Sequence, residues 1–499
     1  MNKAYQSLKK ASHEASLLGS IMQLIEWDQE THMPKAAAPF RGEQAHLLAG
    51  LIHKKKTSKT IEYALAKLID FNSGKLLATD LSPAQKVAVK QWRRDFIRDT
   101  ALPTAFVQQE AKLVSESIEV WRRAKEANNF SLFAPFLEQL FELNRKKAHY
   151  INPKANPYDA LLNLYEPGVS TRIITPLFSD LRTQLQKIVK KLPRQPNDSF
   201  LFGKFSHSKQ LAFSKILLEA IDFDFDRGQL DLAVHPFCSS MHPSDTRLTT
   251  HIHPTSLMSN VLSTLHEGGH ALYGMGLPSE EYGTPLGQAI SFGIHESQSR
   301  WYETRIGLSR PFWQHFLPQL KKHFPKLKNI SLDRFWKGIN KVEPSMIRTE
   351  ADELTYSLHI ILRYELEIAL IEGKLSAFDI PQAWNEKMTE LLGITPKNDA
   401  EGCLQDIHWA IAAIGYFPTY TLGNVYAAQI FETFSKEYPE WENRVAKGEL
   451  FFIKEWLHNQ IHQHGRRYDA LPLIKKITGK TLSAKPYISY LTQKYAHSK

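Results

Sequence analysis

Apolar residues recur at spacings of three and four through much of the chain, the period of an amphipathic α-helix. The pattern predicts helices over residues 8–25, 60–71, 83–97 and 103–127. A longer stripe of Ile347, Ala351, Leu354, Leu358 and Ile361 predicts another, with Pro344-Ser345 as its start signal and Gly373 as its stop. Pro- and Gly-bearing loops near 151–159 and 193–199 separate such segments. One stretch breaks the helical period. In residues 246–253, Arg247, Thr249 and His251 alternate with Leu248, Thr250 and Ile252, which is the period of a strand. There is no internal repeat, low-complexity tract or evident linker. The expectation is a mainly α fold, one large helical unit over residues 1–499, with a small β element.

Composition narrows the class. Hydrophobic residues make up 42% and charged residues 23%, as in an ordinary globular chain. No apolar run approaches the roughly 18 residues that a spanning helix needs, so no membrane contact is expected. The uncharged stretch at 409–417 reads as a buried helix. The N-terminus lacks an apolar signal core, and two cysteines, Cys238 and Cys403, are too few for a disulfide-stabilised secreted protein. Both read as small buried hydrophobes, and the expected compartment is the cytoplasm. The formal charge is +10, but its lysines and arginines are scattered and lack interleaved aromatics. That is a solvated basic surface, and no nucleic-acid partner is expected.

The informative segment follows the β element: LSTLHEGGHALY, containing His266-Glu267-Gly268-Gly269-His270. Two histidines four apart on a helix project from one face, where both imidazoles can hold one tetrahedral cation. The glutamate beside the first can then accept a proton from the water activated there. Val261, Leu262, Leu265 and Leu272 supply an apolar face. The glycine pair weakens such a helix by about 2 kcal/mol, which points to a need for close approach by substrate or another backbone. A catalytic zinc needs a third protein ligand. Glu280, Glu281, His295, Glu296 and Glu303 are the downstream candidates. Glu296 lies in a second predicted helix, GIHESQSRWYE, and spacing favours it, with His295 the open alternative.

Several ordered motifs carry a family resemblance. They are WDQETHMP at 27–34, YDALLNLYEPGV at 158–169, HPF at 235–237, DTRLT at 245–249, HEGGH and HESQ at 295–298. IRTEAD at 347–352, GCLQDIHW at 402–409, FPTYTLGN at 417–424 and HGRRY at 464–468 complete the set. The chain resembles the metallocarboxypeptidases typified by carboxypeptidase Taq. The resemblance implies one zinc per chain held by His266, His270 and Glu296, with Glu267 as general base and acid; cobalt can substitute. It also implies a long active-site groove, peptide substrates with a free C-terminus, broad preference and a homodimer. One departure is ALYGMG after the second histidine, where relatives carry a glutamate and a glutamine after the tyrosine.

Further roles follow from chemistry and motif membership. His408 and Tyr420 are candidate donors to the oxyanion. Arg348 is the candidate for the terminal carboxylate, with Arg247 second; the competing reading of Arg348 is a structural ion pair with Asp352. His235 is expected to line the groove, and the 245–249 strand to offer an edge to an extended peptide. The competing functions are an endo- or oligopeptidase with the same zinc chemistry, and a non-catalytic peptide-binding or nucleic-acid-binding protein.

Overall fold

The computed structural model describes residues 2–496, and helices form most of it. The four periodic segments fold as expected, as helices Lys3–Thr31, Lys59–Leu68, Pro83–Ala101 and Thr104–Glu126. Each buries one face, and Ser82 opens the third with a reciprocal capping box to Gln85. A small N-terminal core gathers Leu8, Leu65, Leu68 and Val89. Leu286 joins it from the segment that precedes Glu296, so the N-terminal helices brace the neighbourhood of the candidate ligand. The larger core holds the remaining helices. No helix among the described residues is long and apolar enough to cross a membrane.

Three stretches differ from the reading of the sequence. The helix expected from Ile347 begins only at Tyr356 and runs to Ile371. Asp352 sets that boundary: one carboxylate oxygen accepts the N–H groups of Leu354 and Thr355, each at 2.9 Å. Leu354 is fully buried all the same, so the apolar stripe reports burial on a non-helical backbone. Residues 409–417 are mostly buried, Ile411 excepted, but form turns, with Ala412 and Gly415 at positive φ. Their polar groups reach Glu367, whose carboxylate accepts from Trp409 Nε1 (2.9 Å) and Gly415 N (3.1 Å).

The β element is larger than expected. β1 (Gly228–Leu232), β2 (Cys238–His242) and β3 (Asp245–Thr250) form a sheet in the order β1-β3-β2. β3 runs parallel to β1, with Leu230 beside Leu248, and antiparallel to β2, with Cys238 beside Leu248. Because β3 is paired on both sides, its backbone has no free edge for a peptide. β2 and β3 pack on the helix Leu257–Met275, which carries the HEGGH segment.

The two glycines of that helix have different neighbours. A Cβ on Gly268 would stand 2.7 Å from Ile221 Cδ1. A Cβ on Gly269 would stand 2.7 Å from Ser299 Cα and would collide with the carbonyl oxygen of Gln298. The close approach is therefore by another backbone. Gly269→Ala is expected to lower stability by about 2–3 kcal/mol, because backbone cannot yield as a flexible side chain does. Gly50→Ala, at a helix position with nothing within 4 Å, is expected to raise stability by about 0.5–1 kcal/mol. Thermal denaturation of the two variants checks both signs.

Candidate metal centre

The helix Leu257–Met275 and the helix Phe292–Arg300 meet at Gly269, which sets Glu296 opposite both histidines. On the far side, Gly423 of the helix Pro418–Glu437 receives the Glu296 side chain, whose Cβ would lie 2.6 Å from an added methyl group. Glu296 Oε2 stands 3.6 Å from His266 Nε2 and 3.5 Å from His270 Nε2. All three donor atoms lie within 4.8 Å of one another. Bonds of about 2.0–2.1 Å at the tetrahedral angle separate donors by about 3.3–3.4 Å, so the spacing fits a single small cation. The distances are longer than a good N–H···O bond.

Each histidine is oriented from behind. Glu303 Oε2 lies 2.7 Å from His266 Nδ1 and also accepts from Arg300 Nη1 at 2.7 Å. Arg300 Nε in turn donates to Asn424 Oδ1 at 2.7 Å. His270 Nδ1 lies 2.6 Å from His295 Nδ1. Burial, together with the neighbouring histidines, pushes His295 well below its ordinary value, so it is neutral and can accept from His270. With those contacts made through Nδ1, the Nε2 atoms of both imidazoles face Glu296.

Burial opposes every charge here, and the partners decide the outcome. It disfavours a charged His266, yet Glu296 and Glu303 outweigh it and raise the imidazole to about 9. It would also raise Glu303, but Arg300 and His266 hold that carboxyl at about 2. Glu296 is held low, against burial, by the two histidines. Glu267 is raised by burial, as a proton acceptor needs. The Glu296 helix continues as a π-helix over Trp301–Ile306, the segment that contains Glu303. Its start is fixed by Glu166, fully buried, which accepts from Gly293 N and Ser291 Oγ at 2.8 Å each.

These groups open onto a cavity of about 610 Å³, lined by His266, Glu267, His270, His295, Glu296 and Tyr420 among others. The chain carries two imidazoles, two carboxylates and an open face in the arrangement of metal-dependent hydrolysis. The family model for carboxypeptidase Taq (M32) metallopeptidases matches residues 7–495. The chain belongs to that family. It is 39% identical to thermostable carboxypeptidase 1 of Thermus thermophilus, over 99% of this chain and 98% of that protein. Identity to carboxypeptidase 1 of Bacillus subtilis is 38%, over 99% and 97%. The fold superposes on the crystal structure of the M32 carboxypeptidase of Deinococcus radiodurans with a TM-score of 0.95 at 35% identity, covering 99% of each chain. As a member of the M32 family the chain is a metallocarboxypeptidase, a peptide hydrolase that works with a divalent cation.

The remaining M32 candidates are placed unequally. Tyr420 lines the cavity, and its hydroxyl is 3.1 Å from His408 Nε2 just behind it. Arg348 is 7% exposed and lies outside the lining. Its Nε and Nη2 donate to Asp406 Oδ1 at 3.0 and 2.9 Å, and its Nη1 to Tyr356. Its ion-pair partner is thus Asp406, while Asp352 accepts from the N–H groups of Leu354 and Thr355 just ahead of the next helix. Arg247 also stands outside the lining, paired with Asp245 at 2.8 Å and stacked 4.6 Å over Trp27. His235 is exposed on the β1–β2 connection, and its neighbours Pro236 and Phe237 line the cavity instead. The arginines that do line it are Arg98 and Arg466, the second from the HGRRY segment. The departure at ALYGMG has a packing cause. A Cβ on Gly274 would collide with Ser240 Oγ of β2, and one on Gly276 would meet His462 at 2.6 Å.

Glu303→Gln is expected to weaken metal binding about 10–100-fold, since the partner that orients His266 loses its charge. Competition with a chromophoric chelator measures this. Unaltered affinity would remove Glu303 from the orienting role.

Proposed function

We propose that the chain is a zinc-dependent carboxypeptidase that removes single residues from peptides with a free C-terminus, with broad preference. The observation that carries this reading is the His266, His270 and Glu296 cluster beside Glu267 on the wall of one cavity. One zinc ion per chain fits the two-imidazole, one-carboxylate donor set, and cobalt suits the same donors. When bound, the cation supplies a Lewis acid for the scissile carbonyl and for the attacking water. Glu267 accepts the proton of that water and delivers it to the leaving amine.

Tyr420 donates its hydroxyl hydrogen to the oxyanion that develops at the carbonyl. Burial raises Tyr420 well above its ordinary value, so the hydroxyl keeps its proton. Burial lowers His408 to about 3, and the neutral ring holds the Tyr420 oxygen through its own N–H. Arg348 acts behind this pair: its guanidinium lies 5.0 Å over the Tyr420 ring. With Arg348 and Arg363 sharing the single carboxylate of Asp406, the group keeps a net positive charge that attracts a terminal carboxylate. The chain acts as one catalytic unit over residues 1–499, a reading supported by the docking of Leu286 into the N-terminal core. It works as a cytoplasmic homodimer.

Glu267→Gln is expected to retain the cation and the fold while turnover falls by about three or more orders of magnitude, because the proton acceptor is lost. Metal analysis and kcat on the same sample check this, and normal turnover would exclude Glu267. A peptide and its C-terminally amidated twin separate exo- from endopeptidase action. Product ladders read by mass spectrometry should shorten one residue at a time from the free end. Equal cleavage of both peptides would favour the endopeptidase.

A further inference from the structure

Beside the ligand cluster the cavity wall turns aromatic. Tyr165, Phe292 and Tyr416 all line it, with ring centroids 5.7, 5.1 and 5.2 Å apart pairwise. Every pair meets edge to face, the arrangement that ring quadrupoles favour. Leu164 and Pro167 extend the same wall without adding charge.

Phe292 is the exceptional member. It is 47% exposed although a phenylalanine gains about 2 kcal/mol or more from full burial. It opens the helix that carries Glu296 and precedes that residue by four positions, so both side chains leave one helix face, about 6 Å apart along the axis. A peptide whose scissile carbonyl sits at the ligand cluster therefore places a neighbouring side chain against this ring. The wall is also rigid. Phe292 N donates to the carbonyl of Tyr165 at 3.2 Å, and the adjacent Glu166 caps the same helix.

The charged groups of the cavity do not compete for that side chain. Arg466 is committed to both oxygens of Asp95 (2.8 and 2.9 Å) and to Gln288. Arg98 faces Asp99 at 3.1 Å and Asp95 at 3.6 Å. Glu267 and Glu296 belong to the reaction. An acidic side chain meets no uncommitted cation here, and a large apolar one meets three ring surfaces.

We propose that Tyr165, Phe292 and Tyr416 form the subsite for a large apolar or aromatic side chain on one of the two residues flanking the scissile bond. This subsite rests on the carboxypeptidase reading and specifies its substrate class. The test uses metal-loaded full-length protein and two peptide series, one varying the terminal residue and one the penultimate residue, each through Ala, Leu, Phe and Asp. In one series kcat/KM should favour Phe and Leu over Ala and Asp. Phe292→Ala should lower the Phe-to-Ala ratio of kcat/KM in that series about tenfold, and Phe292→Leu should restore part of it. A ratio unchanged in both series, or a loss of equal size for every side chain, overturns the subsite. Wild-type protein that cleaves no peptide overturns the carboxypeptidase reading itself, a result distinct from cleavage without preference.

Discussion

The centre depends on a backbone contact between two helices. Without side chains at Gly269 and Gly423, the helix Phe292–Arg300 can lie between the helices Leu257–Met275 and Pro418–Glu437 closely enough to hold Glu296 in place. A single methyl group at either glycine would move the carboxylate away from the histidines. Close packing of this kind resists small displacements, because interiors are nearly as dense as organic crystals. The donor spacing is thus set by packing before any cation arrives, so little reorganisation accompanies binding. The cost of one glycine in each of these two helices, about 1 kcal/mol apiece, is offset by a position for Glu296 that larger residues could not create.

Around that contact, buried charges are arranged in pairs that hold one another. Glu303 faces both His266 and Arg300, and Asp406 faces both Arg348 and Arg363. An unpaired charge at such depth costs several kcal/mol, so these partnerships fix both protonation and orientation. The first group turns the Nε2 atom of His266 towards Glu296. The second stands behind Tyr420 and His408 and supports them as a rigid backing.

Much of this was legible in the residues, but unevenly. The HEGGH spacing placed two imidazoles on one face, and the apolar periods of the N-terminal helices matched their burial. Glu303 was also within reach, since it follows Glu296 by seven residues, two helical turns on the same face. Other features had no local signal. The stripe from Ile347 to Leu354 has a helical period yet lies on turns, because Asp352 takes the N–H groups that would have continued the helix. The edge expected at residues 245–249 vanished once β1 and β2 paired with it, and strand order is a long-range property. Arg348 sits in a family motif, but its commitment to Asp406 joins residues 58 apart in the chain. Glu166, which caps the Glu296 helix from 127 residues away, could be found only in three dimensions.

His266, His270 and Glu296 are expected to converge on one cation. X-ray diffraction from zinc-loaded crystals, recorded on both sides of the zinc absorption edge, tests it most directly. One strong anomalous peak per chain is expected, about 2.0–2.2 Å from both Nε2 atoms and from a Glu296 carboxylate oxygen. A crystal in which Glu296 turns away, or in which the peak lies on other residues, would contradict it.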